Sequence, residues 1–275
     1  MNSQRTVFFV SDRTGITAEH VGKTLLTQFP DVNFRKLSLP FIDTVEKARA
    51  ACMEINNTAL QEGRRPIVLS TLINEDTRAE IATADALCLD LFAGFISRLE
   101  SELGLESSHA LGLSHGMGSE VAYQIRMDAV NYTVSHDDGV STDTYDRADV
   151  ILVGVSRTGK TPTCIYLGMQ YGIFAANYPL TPDDFVDHAL PKPLVPYRAK
   201  LYGLSIHPER LTKIRSERRP GSRYASLENC RFETRAGETL LRQEHISILD
   251  TTTKSVEEIA ISILYGAGLS KRIES

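Results

Sequence analysis

The chain has no tryptophan among its 275 residues, an absence that by itself excludes nothing. The scarcity of cysteine says more. Cys52, Cys88, Cys164 and Cys230 lie far apart, with no CxxC pair and no histidine nearby to complete a zinc-ligand spacing. That pattern excludes a zinc module of the usual kind and points to reduced, mostly structural thiols. Long apolar runs are also missing. Val7–Val10 near the N-terminus is too short for the apolar region of a signal peptide, and no stretch approaches about 18 apolar residues. A soluble, cytoplasmic protein without a membrane partner is expected. An excess of positive charge is lacking too, and a net charge of −5 argues against a surface coated for nucleic acid.

What is present is ordinary globular material. With 42% hydrophobic and 24% charged residues, 18 Gly and 11 Pro, the composition excludes collagen, low complexity and disorder. The length allows one or two domains, each able to bury its own core. The mild net charge hides an imbalance, because residues 198–223 carry eight Lys or Arg against two Glu, +6 in all, which leaves −11 for the rest. A basic island in an acidic chain suits a compact anion such as a nucleotide, or is simply a solvated helix face.

Short apolar runs alternate with amphipathic stretches of helical length, the pattern of βα units around a parallel sheet. In the first half, strands are expected at 7–11, 34–39, 66–71 and 86–90, and helices at 17–28, 44–62 and 91–103. Residues 104–118, rich in Gly, Ser and His, read as a loop. Ser119 can cap a helix whose apolar face holds Val121, Ile125 and Ala129, after which Tyr132 and Val134 alternate into an Asp-Asp-Gly turn at 137–139. The pattern restarts at Asp149 with strands at 150–153, 173–178, 200–206 and 246–250. Helices are expected up to about 171, over 208–219, around Glu228 and over 255–264. Ser255 and Glu258 have the spacing of a capping box. The fold expected is α/β, a parallel-sheet N-terminal domain over residues 1–145 that helps recognise a partner, followed by a P-loop kinase-like domain over 146–275.

The strongest local signal is Gly154-Val155-Ser156-Arg157-Thr158-Gly159-Lys160-Thr161. It fits GxxxxGK[ST] and directly follows a buried-strand run. The two glycines let the backbone wrap closely round an anion, so that loop N–H groups and the following helix N-terminus face phosphate oxygens. Lys160 supplies a flexible charge, and Thr161 a hydroxyl able to hold Mg²⁺. No Asn-Lys-x-Asp guanine reader follows, so a kinase-like use fits better than a GTPase. Arg215, Arg218 and Arg219 in the basic helix are candidate lid residues over transferring phosphates. Asp250 is a metal-linked carboxylate or a strand-terminal turn.

Two weaker constellations complete the inventory. Ser11-Asp12-Arg13-Thr14-Gly15 lies between the first strand and first helix, and reads as a second anion or partner site, or as a capped turn. In His136-Asp137-Asp138-Gly139, either carboxylate could take the proton of an attacking hydroxyl or hold Mg²⁺, and His136 could act as acid or base. An Asp-Gly turn is the plainer alternative. His115, in a glycine-rich segment, is a titratable group or part of a linker.

Phe8-Phe9-Val10-Ser11-Asp12, Thr14-Gly15-Ile16-Thr17-Ala18-Glu19, His136-Asp137-Asp138-Gly139, Gly154–Pro162, and Asp250-Thr251 before Ser255–Glu258 together resemble the regulatory proteins of pyruvate, phosphate dikinase and phosphoenolpyruvate synthase. The resemblance covers nearly the whole chain. It implies a bifunctional enzyme, a serine/threonine kinase that uses ADP to phosphorylate a threonine of its target and a phosphorylase that removes that phosphate with inorganic phosphate, releasing pyrophosphate. Residues 163–167 and 175–180 resemble the branch that regulates the synthase, with the dikinase as the alternative target. Arg13 departs from the small residue expected there. On this reading Lys160 and Arg157 carry charge, Thr161 holds Mg²⁺, and Asp137 or Asp138 takes the threonine proton. A small-metabolite P-loop kinase and a non-catalytic ADP-sensing module are the competing readings. Monomer and homo-oligomer are equally open.

Overall fold

A computed structural model describes residues 4–108, 120–186 and 189–272. His115 lies outside the described residues. The chain divides into two compact units, Met1–Gly116 and Met117–Ser275.

In the first unit β1 (Arg5–Val10), β2 (Phe34–Leu39), β3 (Ile67–Ser70) and β4 (Leu87–Asp90) alternate with α1 (Ile16–Leu26), α2 (Val45–Glu62), α3 (Glu75–Ala82) and α4 (Ala93–Leu103). The sheet is wholly parallel, in the order β2-β1-β3-β4. Its central strand β1 is apolar from Val7 to Val10 because helices cover both of its faces. Phe8 and Val10 pack with α2, and Val7 and Phe9 with α1. Thr44 caps α2 by accepting the Lys47 N–H.

The second unit opens with α5 (Glu120–Ser135), then β5 (Val150–Val155), α6 (Lys160–Tyr171), β6 (Ala175–Leu180), β7 (Leu201–Ser205), α7 (Pro208–Arg218), α8 (Leu227–Gln243), β8 (Ile248–Asp250) and α9 (Val256–Gly266). Its parallel sheet has the order β6-β5-β7-β8. Period-two alternation sorts β5 between two cores. Val150 and Leu152 pack with α6 and α9, whereas Ile151, Val153 and Val155 pack with α7 and α8. The capping box expected at Ser255 and Glu258 is present.

Two expectations are corrected, and one helix goes beyond them. The division falls after Gly116, not at 145, because α5 belongs to the second core. The Thr133 hydroxyl donates to the Ala175 carbonyl at 2.8 Å, and Ala129 is fully buried. Tyr132 and Val134 do not start a strand. Helix α5 runs on to Ser135, since Ala129, Tyr132, Thr133 and His136 form one buried stripe at helical spacing. Helix α3 carries no clear apolar period in the sequence. It is short and polar apart from its buried positions Thr77 and Ile81, and is begun by Asn74, whose side chain accepts the Thr77 N–H.

Candidate active site: a phosphate-binding loop

Strand β5 delivers Ser156–Gly159 to the carboxyl edge of the sheet, and α6 begins at Lys160. The order of strands reverses between β5 and β7, which is where open α/β sheets bind ligands. Gly154 is required by proximity, because a Cβ there would run into the Leu204 carbonyl oxygen of β7. Gly159 is required by conformation, at φ +91°. Arg157 also sits in the left-handed region, at φ +77°, at a cost of roughly 1–2 kcal/mol. Its exposed side chain rises from the middle of the loop.

Lys160 is only 4% exposed. Its Nζ donates to the carbonyls of Gly154 at 2.8 Å and Val155 at 2.9 Å. Burial pushes its pKa down to about 8, against the opposing pull of the nearby Asp138 and Asp137 carboxylates. The ammonium is therefore charged at neutral pH and held by neutral carbonyls that a phosphate can outbid. Phosphate affinity is expected to fall as pH rises through about 8, approaching tenfold per pH unit once the neutral amine dominates. Calorimetric titration of nucleotide or inorganic phosphate between pH 7 and 9 checks this.

The turn after α5 meets the loop. Asp137 Oδ1 accepts from the Thr161 hydroxyl at 2.7 Å and from Asn177 Nδ2 at 2.6 Å. Asn177 Oδ1 accepts the Asp138 N–H at 3.1 Å, which holds Asp138 at φ +48°. Asp138 is exposed, and its carboxylate has no hydrogen-bond partner among the described residues. Thus Asp137, Asp138, Lys160 and Thr161 come together at one place. Asn177, fully buried on β6, was not assigned a site role from sequence.

His136 does not fit an acid–base role. Its ring is buried and stacked on Tyr132 at 4.0 Å between centroids. Nδ1 donates to the Tyr132 carbonyl at 2.7 Å, and Nε2 pairs with the Thr144 hydroxyl. Asp250 closes a turn by accepting the Thr252 N–H at 2.9 Å. The next residue matters more, because the buried Thr251 hydroxyl reaches the carbonyls of both Thr158 (3.1 Å) and Ser205 (3.0 Å), tying the loop to the end of β7.

The lid expectation needs correction at Arg215. Its side chain is 0% exposed. Nη2 donates to the Ser156 carbonyl at 3.1 Å and to Glu233 at 2.6 Å, and Nη1 donates to the Tyr224 carbonyl at 3.1 Å. The guanidinium lies 4.2 Å from the Tyr224 ring centre. Arg215 is a strut beneath the loop, not a mobile arm above it. Arg218 and Arg219 are exposed at the end of α7. The basic island is dispersed further, because Arg198 pairs with Glu244 and Lys200 binds the Asp146 carbonyl.

A loop of this geometry can hold a chain of phosphates, with a hydroxyl, two carboxylates and a buried ammonium around it. The model of the kinase/pyrophosphorylase family matches residues 7–264. The chain belongs to the kinase/pyrophosphorylase family. It is 53% identical over 268 residues to a protein of Bordetella parapertussis, covering 98% of both chains. It is 51% identical over 274 residues to one of Pseudomonas aeruginosa, covering 100% of both. A protein of Aromatoleum aromaticum is 53% identical over 270 residues, again with 98% coverage of both. All three carry the provisional name phosphoenolpyruvate synthase regulatory protein. Family membership supports a phosphotransferase role and agrees with the site, since phosphoryl transfer demands mainly positioning and charge neutralisation. No helix among the described residues is long and apolar enough to cross a membrane.

Proposed function

We propose that this enzyme phosphorylates a threonine of phosphoenolpyruvate synthase with the β-phosphoryl group of ADP, and removes it by phosphorolysis. The observation that carries this reading is the single cradle in which Lys160, Thr161 and the Asp137–Asp138 turn meet. In the forward direction the threonine oxygen attacks the β-phosphorus, the bond to the AMP oxygen breaks, and the threonine proton passes to a carboxylate. Asp138 suits that task, being exposed, unpaired among the described residues and close enough to Lys160 to feel its charge. In reverse, an oxygen of inorganic phosphate attacks the phosphothreonine phosphorus, pyrophosphate forms, and the threonine oxygen regains a proton.

Lys160 and Arg157 neutralise charge on the transferring group, while the first-turn amides of α6 orient its oxygens. The Thr161 hydroxyl and Asp137 carboxylate, 2.7 Å apart, are hard oxygen donors suited to Mg²⁺. No group of three or more His, Cys, Asp or Glu forms a metal cage among the described residues, and Mg²⁺ bound to phosphates needs only one or two protein ligands. When bound, Mg²⁺ neutralises phosphate charge. Asp137 serves that side of the site, which leaves Asp138 to the proton.

Incubation with phosphoenolpyruvate synthase and either β-labelled ADP or γ-labelled ATP tests the reading. Label from ADP on a threonine of the synthase, released as pyrophosphate by inorganic phosphate, is the expected result. Label only from ATP, only on a small molecule, or only on pyruvate, phosphate dikinase would overturn it.

A further inference from the structure

Phosphoryl transfer keeps the attacking and leaving oxygens roughly in line, on opposite sides of the phosphorus. In the second unit the Asp137–Asp138 turn lies on the β6 side of the loop, because both residues bond Asn177 of that strand. Strand β5 has β6 on one side and β7, then β8, on the other. With ADP as the donor, as the proposed reaction requires, an acceptor hydroxyl beside Asp138 sends the departing nucleotide the other way, across the ends of β7 and β8. Strand β8 is two strand spacings from β5, roughly 10 Å, a gap that an extended nucleotide can bridge.

A cavity of about 590 Å³ lies at those strand ends, inside the roughly 300–1,000 Å³ typical of small-molecule sites. One wall is Ser205–Pro208, which follows β7, with Asp250 of β8. The other is the face of α8 that carries Arg235 and Glu238. Ser205 and Glu238 also border a smaller recess against Gly154 and Val155, so the cavity adjoins the start of the phosphate loop. A second cavity of about 590 Å³ is lined by Phe185 and Phe232. Phe185 follows β6, which puts that cavity on the acceptor's side.

The charges of the first cavity suit the uncharged half of a nucleotide. Glu238 and Asp250 repel a phosphate but accept hydrogen bonds from hydroxyl and amino groups. Asp250 uses only Oδ1 in its turn, toward Thr252, so Oδ2 stays open among the described residues. Two of the three arginines on this face of α8 are already neutralised, Arg231 by Glu209 and Arg242 by Glu238. Arg235 pairs with no carboxylate among the described residues, and a guanidinium can lie flat against a base. Ile206 and Pro208 supply an apolar surface near it.

We propose that the cavity between α8 and the ends of β7 and β8 is the adenosine subsite of the donor, with Arg235 against the base and Asp250 accepting from the nucleoside. Calorimetric titration of the full chain with ADP, and separately with pyrophosphate, tests it. Arg235→Ala should weaken ADP about fivefold, as for loss of a cation–π contact. Asp250→Asn should weaken it about tenfold, as for loss of a hydrogen bond to a charged group. Pyrophosphate, which has no nucleoside, should bind both variants as it binds the wild type. Phe232→Ala, at the second cavity, should leave ADP affinity unchanged. Both proposed contact residues are exposed, so equal melting temperatures are expected. Irradiation of the wild-type chain with 8-azido-ADP needs no variant, and should attach the nucleotide within 205–208 or 231–242. ADP affinity unchanged in both contact variants, an equal loss for pyrophosphate, weaker ADP binding by Phe232→Ala, or attachment beside Phe185 would each overturn the proposal. None of these measurements involves the synthase. A chain that binds ADP in this cavity yet labels no threonine would overturn the proposed reaction and leave the subsite standing.

Discussion

Lys160→Ala should lose both phosphorylation and phosphorolysis, each by roughly 10²–10³-fold in kcat, the usual effect of removing one group that stabilises charge developing in the transition state. The two losses should match, because both reactions place their transferring phosphoryl group in the same cradle. Stability should change little. The Lys160 pKa is lowered from 10.5 to about 8 by complete burial, so folding disfavours its charged form. Each pH unit between those two values is worth about 1.4 kcal/mol. The cost is therefore a few kcal/mol below about pH 8 and fades as pH rises towards 10.5. Alanine removes that cost together with the two hydrogen bonds to Gly154 and Val155. The variant should therefore melt at or near the temperature of the parent at pH 7. Steady-state kinetics in both directions and a thermal melt decide the matter. Loss of one activity alone would require two separate phosphate sites for the two reactions. A collapsed melting temperature would mean that the lysine serves the fold before the chemistry.

The loop could be read from sequence because its parts are contiguous. Strand, glycines, lysine, threonine and helix occupy residues 150–171, and local backbone chemistry determines how they fold. The rest of the site is assembled by strand order. Asn177 reaches Asp137 only because β6 lies beside β5, and Thr251 reaches Thr158 only because the chain after β8 returns to the same sheet edge. An isolated Asn in an apolar strand was a visible signal, since a buried amide in mid-sheet needs a partner. Tyr132 and Val134 misled because alternation over a few residues also occurs on a helix, and the helical stripe became clear only with Ala129 and His136 included. The two sheets share one strand order, a likeness hidden in the sequence because Asp12 changes the spacing of the first loop and Ile16 stands where the second has Lys160.

The basic segment 198–223 shows where charge counting fails. Its +6 total suggested one surface with one purpose. Packing gives its members different tasks, because α7 buries only Leu211 and Arg215, one turn apart, while Arg218 and Arg219 fall outside. An arginine at a core position signals a buried carboxylate partner elsewhere, here Glu233 on α8, which also accepts from Asn229 at 2.7 Å.

Arg215→Met should then be among the most damaging single changes in the second unit. Methionine fills much of the volume but leaves Glu233 buried without its counter-charge, a loss of about 3–5 kcal/mol and a fall in melting temperature on the order of 10 °C. Pairing it with Glu233→Leu removes the orphaned charge, and stability should largely return, since apolar replacement of a buried ion pair is often neutral. Phosphate affinity should not return with it. The Ser156 carbonyl would still lack its 3.1 Å anchor to Nη2, and Tyr224, which the guanidinium stacks on, would lose its support for the Ser156 hydroxyl 3.0 Å away. Arg218→Ala with Arg219→Ala gives the contrast, since both side chains are exposed and their loss should leave the melting temperature unchanged. Thermal unfolding and phosphate titration on the three variants separate a strut from a lid. A strut predicts an unstable Arg215→Met and a stable double variant that binds phosphate poorly. A lid predicts a stable Arg215→Met that fails only in turnover, and that result would return Arg215 to the reacting phosphates.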